Sequence, residues 1–299
     1  MTSNKIPVIL DTDIGFDIDD TWALGFLLKC PELDVKLITT STSNTPLKAK
    51  LVAKFLEIAG RTDIPIGIGP SKNQEKEELY RWIEDYELSQ YPGSVHENGI
   101  EVLCSTILDS SDPVTLIAIG PLGTVSDALK MRPNITENAR FVGMHGSIRI
   151  GYQCIPSPQP EYNVINDIQA CRDVFQAPWE KTISPLDTCG SIVLSGEYFE
   201  RIMNCDNIIV KLIKENFEIW AKKNRPKLIT EEKKTSVLYD MVAIYLCFSE
   251  ELLNIEELKI EVNEKGITKI SEKGNNIRCA TSWKDVDAFK DLIVNRLVN

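Results

Sequence analysis

Between Ile6 and Ile68 the chain changes its hydrophobic period four times, and that alternation restricts the fold more than any other feature. Ile6–Leu10 is a continuous apolar run of the kind found in strands buried on both faces. A helical pattern follows from Asp20 to about Lys29, and Val35–Thr40 is again β-branched and apolar. The stretch "NTPLKAKLVAKFLEIAGRTDIP" offers Thr45 as N-cap and Pro46 at the first helical position. Its apolar stripe at Leu47, Leu51, Phe55 and Ala59 ends at Gly60, and Ile64–Ile68 begins a third strand. Strands joined through helices pair in parallel with right-handed crossovers, so this β-α-β-α-β order predicts an α/β fold.

Downstream, residues 71–98 are charged yet carry Tyr80, Trp82, Tyr86 and Tyr91, which suits either a surface segment packed on the body or a mobile flap over a pocket. Further elements are expected at Ile100–Leu108 (helix), Val114–Ile119, Arg140–Met144 and Lys181–Leu186 (strands), most of 193–254 (helices), 257–281 (a β-hairpin) and Trp283–Leu297 (helix). No repeat, low-complexity tract or linker interrupts the chain. Residues 1–299 therefore read as a single domain, an open, mostly parallel twisted sheet flanked by helices.

Five aspartates (Asp11, Asp13, Asp17, Asp19 and Asp20) crowd the junction of the first strand and first helix. In an open parallel sheet, ligands bind beyond the carboxyl ends of the strands, where this cluster sits. So many carboxylates cannot all stay ionised in one loop without a compensating cation. With hard oxygen donors only and no nearby histidine or cysteine, Ca²⁺ or Mg²⁺ is favoured over zinc. Helix capping explains one of the acids, but not Asp13, Asp19 and Asp20 together. An aspartate-nucleophile phosphatase also carries D-x-D after a strand, but needs Thr or Val where Gly15 stands and a lysine partner that the strand ends lack.

Charge excludes other classes. A net charge of -11 and a pI near 4.9 argue against nucleic-acid binding, and "AKKNRPK" at 221–227 reads as a solvated helix end. No apolar run approaches the roughly 18 residues that span a bilayer, and "MTSNKIPVIL" lacks the pattern of a secretory signal. Eight scattered cysteines without C-x-x-C read as reduced thiols, so a cytoplasmic location is expected.

The stretch "DTDIGFDIDDTWAL" resembles the N-terminal signature of the inosine-uridine-preferring nucleoside hydrolase family, in a variant with two extra residues before the Asp-Asp pair. In the family's order, "STSNTPLKAKLVAKFLEIAGRTDIPIGIG", "VTLIAIGPL", "FVGMHG", "PEYNVINDIQACRDVF" and "SVLYDMVAIYL" resemble its later segments. The resemblance covers nearly the whole chain. It implies a Rossmann-like nucleoside hydrolase fold and Ca²⁺-dependent hydrolysis of a ribonucleoside to base and ribose. It also implies a homodimer or homotetramer.

By the same resemblance, Asp13 binds Ca²⁺ and orients or deprotonates the attacking water, while Asp20, the Ile119 carbonyl and Asp240 are the other metal ligands. Asp19 looks like the partner of the ribose 2′-hydroxyl with Asn44 beside it. Met144, Glu161 and Asn163 match ribose-pocket residues, Glu161 facing the 5′-hydroxyl, and Asp11 matches a supporting aspartate. Asp17 receives no role and reads as a surface or capping acid.

Three departures concern the base end. Tyr239 stands where studied relatives carry the histidine that protonates the leaving base. His145 replaces the first glycine of the family's Met-Gly-Gly turn and becomes a candidate for touching substrate or leaving group. "IPSPQPEYN" lacks the asparagine that often precedes the glutamate, and "GPLGT" lacks the usual Thr-Asn. Purine, pyrimidine and 7-deazapurine bases all stay open, with Trp82 as a possible stacking partner. The alternative on the same scaffold is a non-catalytic, Ca²⁺-dependent ribose or nucleoside binder.

Overall fold

The computed structural model of the chain describes residues 5–73 and 78–299. Its strands are β1 (Ile6–Thr12), β2 (Leu33–Thr40), β3 (Ile66–Ile68), β4 (Val95–His96), β5 (Val114–Ala118), β6 (Ala139–Gly143), β7 (Lys181–Ile183), β8 (Leu253–Val262), β9 (Thr268–Ile270) and β10 (Asn275–Trp283). They form one sheet in the order β4-β3-β2-β1-β5-β6-β7-β10-β8-β9. Pairing is parallel from β4 to β10; only β8 runs antiparallel, against both β10 and β9. The expected hairpin at 257–281 is thus a three-stranded extension of the main sheet.

The helices are α1 (Asp19–Leu28), α2 (Thr45–Ile58), α3 (Gly99–Leu108), α4 (Gly123–Met131), α5 (Tyr162–Asn166), α6 (Ile168–Gln176), α7 (Leu186–Cys189), α8 (Glu197–Met203), α9 (Ile208–Asn224), α10 (Met241–Leu246) and α11 (Val286–Val298). Side chains alternate across a strand, and β1 shows the consequence. Val8 and Leu10 pack into a core with α1, α2, α9, α10 and α11, whereas Ile9 packs into a second core with α3, α4 and α6. Both faces are covered, so β1 has no polar face, as its continuous apolar run predicts. Each fully buried aliphatic side chain contributes about 1.5–3 kcal/mol. That apolar grip on β1 offsets the cost of holding carboxylates at its end.

Topology then locates the crevice. After β1 the chain builds β2, β3 and β4 on one side, then returns to lay β5 against the other edge of β1. The strand order reverses between β1 and β5, and the loops leaving their carboxyl ends diverge there.

Two local expectations are corrected. The N-cap of α2 is Asn44, whose Oδ1 accepts from the Leu47 amide at 3.3 Å, and not Thr45, whose hydroxyl donates to the Gly69 carbonyl at 2.6 Å. "SVLYDMVAIYL" is helical only from Met241; the Leu238 amide bonds the Ile192 carbonyl instead, at 2.8 Å.

The segment 71–98, read as either a packed surface segment or a flap, includes residues 74–77, which lie outside the described residues. From Glu78 onward the segment packs on the body. Trp82 is buried against Phe55, Tyr86 donates its hydroxyl to Glu57 (2.6 Å), and Tyr91 donates to the Ile64 carbonyl (2.7 Å). All eight cysteines are free, and no helix of the described residues is long and apolar enough to cross a membrane.

Candidate active site

At the carboxyl ends of β1 and β5 lies a cavity of about 200 Å³. Asp13, Phe16 and Asp17 line it from the β1–α1 loop, Asp19 and Asp20 from the first turn of α1, and Ile119 from the exit of β5. Met144 comes from the exit of β6, Tyr152, Glu161, Tyr162 and Asn163 from the following loop and α5, and Tyr239 and Asp240 from the entry to α10. Nine of the residues proposed from sequence therefore share one wall, although they come from distant parts of the chain.

The β1–α1 loop is held from several sides. Gly15 takes φ 115°, a conformation glycine adopts without strain. The Thr12 hydroxyl donates to Asp20 Oδ1 at 2.5 Å and accepts from the Ile14 amide at 3.1 Å, which fixes where α1 starts relative to β1. Lys48 reaches from α2 and donates its ammonium to the backbone carbonyls of Asp13 (2.5 Å) and Ile14 (3.3 Å). Behind them Asp11 is fully buried and accepts from the Thr39 hydroxyl at 2.6 Å; burial pushes its carboxyl up to about 7.

Asp19, Asp20 and Asp240 each offer a carboxylate oxygen, and these atoms lie within 4.8 Å of one another. Exposure is 7%, 4% and 2% respectively, so little water solvates the three charges. Burial first, then mutual repulsion together with Asp13 and Asp17, pushes all three carboxyls well above the usual range. Lys48 is the cation that acts on the cluster, lowering Asp20, and its single charge offsets only part of the repulsion. Like charges this close, in so dry a setting, fit a cation. The cluster could hold a metal ion, and its all-oxygen donor set suits a hard one.

Asp13 lines the same cavity, and Gly120 packs directly against its side chain. A Cβ on Gly120 would stand 2.7 Å from Asp13 Oδ1, so only glycine leaves the carboxylate its place. The neighbouring Ile119 carbonyl accepts from Asn163 Nδ2 at 2.9 Å, and the same amide reaches the Met144 carbonyl at 3.0 Å. Asn163 thus ties together the exits of β5 and β6.

Glu161 caps α5. Its Oε1 accepts from the Asn163 amide (2.7 Å), and Oε2 from the amides of Gly146 (3.0 Å) and Val164 (3.2 Å). A carboxylate has about four acceptor sites, so about one stays open to a ligand. Burial raises its carboxyl to about 7, despite the three amides that favour the charged form.

Three expected site residues lie elsewhere. His145 is buried with its Nε2 3.1 Å from the Gly120 carbonyl, its ring set between Phe141 and Phe175. Successive residues of an extended chain point to opposite sides, so Met144 facing the cavity turns His145 behind it. Burial lowers its imidazole to about 3, which leaves it neutral. Asn44 spends its side chain on capping α2 and is not among the cavity's lining residues. Trp82 also stands apart from the cavity, with Nε1 donating to Glu215 at 3.0 Å and Lys54 over its ring.

Four lining residues escaped sequence reasoning as site members: Phe16, Asp17, Tyr152 and Tyr162. Asp17, read as a surface acid, faces the cavity while its carboxylate accepts from the Ile18 amide at 2.7 Å. Phe16 and Tyr162 had a usable signal, because each sits between residues already placed at the site. Tyr152 lies in the proline-rich loop, where no periodicity indicates a direction.

Known proteins give an independent comparison. The inosine-uridine preferring nucleoside hydrolase family matches residues 8–291. The chain is 28% identical, over 316 aligned positions covering 98% of both chains, to the pyrimidine-specific ribonucleoside hydrolase RihA of Escherichia coli O139:H28 (strain E24377A / ETEC). Its fold is similar to that of a plant nucleoside hydrolase (TM-score 0.82, 20% identity, 99% of each chain). It is also similar to that of a purine-preferring ribonucleoside hydrolase from Gardnerella vaginalis (TM-score 0.80, 19% identity, 98% of each chain). With the signature loop, the sheet and the family match in agreement, the chain belongs to the inosine-uridine preferring nucleoside hydrolase family, which hydrolyses N-glycosyl bonds.

Proposed function

We propose that the protein performs Ca²⁺-dependent hydrolysis of a ribonucleoside to free base and ribose, with Asp13 as general base. The observation that carries this reading is the convergence of Asp13, Asp19, Asp20, Ile119 and Asp240 on one cavity at the β1/β5 crevice. Asp13, Asp20, Asp240 and the Ile119 carbonyl would hold the ion; Asp19 is close enough to Asp20 and Asp240 either to join them or to meet a ribose hydroxyl. A bound Ca²⁺ supplies Lewis acidity and a flexible shell of oxygen contacts.

The chain's own groups do the rest. Gly120 and Lys48 fix the side chain and backbone of Asp13, so its carboxylate is aimed before substrate arrives. Asp13 takes the proton as the water oxygen bonds to the anomeric carbon, and the glycosidic electron pair leaves with the base. Ribose would sit among Asp19, Met144, Glu161 and Asn163, where surrounding carboxylates favour the developing oxocarbenium charge. Tyr239 faces the base end as a hydrogen-bonding or packing group. His145 is too deeply enclosed behind Gly120 to serve as the acid.

Similar proteins differ on the base, pyrimidine for the Escherichia coli enzyme and purine for the Gardnerella vaginalis one. Chromatography of a nucleoside panel, incubated with Ca²⁺ and with chelator, tests the reading. Base and ribose should appear only with the ion and disappear in Asp13→Ala; release that survives both treatments would sink it, and tight binding without turnover would favour the non-catalytic binder.

A further inference from the structure

Six carboxylates line the cavity (Asp13, Asp17, Asp19, Asp20, Glu161 and Asp240), and among the described residues no lysine, arginine or histidine joins them in the lining. A divalent ion at the Asp cluster would offset only part of that charge. At the mouth stand two exposed rings, Phe16 (49% exposed) and Tyr162 (38%), stacked at 5.7 Å with planes 9° apart. Deeper, Tyr152 and Tyr239 meet edge to face at 6.0 Å and 84°. The Tyr162 amide donates to the Tyr152 hydroxyl at 2.8 Å, so the two pairs are joined into one group of four rings. Asp17 stands next to Phe16, its carboxylate held by the Ile18 amide.

Ring faces carry negative quadrupole charge, and aromatic groups beside carboxylates are the recognised way to bind an organic cation. Resting on the hydrolase reading, we propose that these rings and Asp17 form a cation cage at the base end, selecting ribonucleosides whose base is a positively charged, N-quaternised heterocycle. The leaving-group chemistry agrees. When the C1′–N bond of a neutral nucleoside breaks, the electron pair makes the base an anion that needs a proton. Among the described residues the lining has no imidazole, thiol or ammonium to supply one, only phenols and the carboxyls that grip the metal and ribose. A cationic base takes the same pair, loses its charge and departs neutral. The water oxygen bonds to C1′, one proton goes to Asp13 and on to solvent, and the other stays on the new hydroxyl. Each turnover releases one net proton, against none for a neutral nucleoside.

The test compares nicotinamide riboside with uridine and inosine on the Ca²⁺-loaded enzyme, each kcat/KM divided by the uncatalysed rate in the same buffer. The cation should be favoured at least about tenfold, with one proton released per turnover in a pH-stat. Phe16→Leu, Tyr162→Leu and Asp17→Asn should each reduce that preference at least about threefold, a ratio that loss of folded protein alone does not move. Equal or better corrected rates for the neutral nucleosides overturn the cage but leave the hydrolase reading standing. An undiminished preference in all three variants also overturns it. Release of no base from any substrate refutes both.

Discussion

Gly120→Ala adds one methyl group, aimed at Asp13. The added Cβ would stand 2.7 Å from Asp13 Oδ1 and 2.9 Å from its Cβ and Cγ. Ordinary non-bonded contacts between heavy atoms are about 3.5–4.0 Å, so the carboxylate must retreat by roughly 0.8 Å or more. Overpacking of this size costs about 1–3 kcal/mol of stability. The catalytic cost is larger, because a base displaced by about 1 Å loses on the order of 10²-fold in rate. Gly123→Ala is the matched control, since its Cβ would meet only Asp167 Oδ2 at 3.4 Å. Activity and thermal midpoint would be measured for both variants with saturating Ca²⁺. Gly120→Ala should lose about a hundredfold in kcat while still folding, and Gly123→Ala should lose little of either. A Gly120→Ala enzyme within threefold of wild-type kcat would refute the idea that a precisely placed Asp13 carries the reaction.

Other expectations separate structure from chemistry. Trp82→Ala removes a buried ring and its bond to Glu215, so it should cost about 3–5 kcal/mol in denaturant unfolding but leave KM unchanged. His145→Ala should likewise destabilise by a few kcal/mol, since it opens a cavity and strips the Gly120 carbonyl of its donor. Because burial holds that imidazole at about 3, the wild-type pH profile of kcat/KM should show no histidine titration from this residue. Asp11 and Glu161 are both raised to about 7 in the folded protein, so their protonation stabilises it. That contribution is complete below the unfolded carboxyl values near 4 and is lost as pH rises through 7. For Asp11 it amounts to about 4 kcal/mol, so metal-free protein should melt higher at pH 5 than at pH 8, and Asp11→Asn should narrow the gap.

How far the sequence could be read follows from what each signal measures. Hydrophobic period indicates burial, so the strand-helix alternation announced a parallel sheet, and Val8, Ile9 and Leu10 proved buried on both faces of β1. Acid density at a strand end marked the crevice, because charge crowding needs a tertiary explanation wherever it occurs. Direction was harder. Met144 and His145 are equally plausible ligands in sequence, and only the path of the chain after β6 decides that Met144 faces the cavity. The same ambiguity hid Asp17, whose orientation depends on the turn at Gly15 and the Ile18 amide. Trp82 misled for another reason: an aromatic in a charged segment reads equally as a stacking platform or a core anchor, and its bond to Glu215, far along the chain on α9, is a long-range contact.

Calorimetric titration of Ca²⁺ into metal-stripped protein, with base release followed on the same samples, decides whether an ion at the aspartate cluster drives the reaction. A single site should fill as activity returns, and Asp240→Asn should lose both binding and activity. Full base release from stripped protein, or unchanged Ca²⁺ binding in that variant, would contradict that role of the ion.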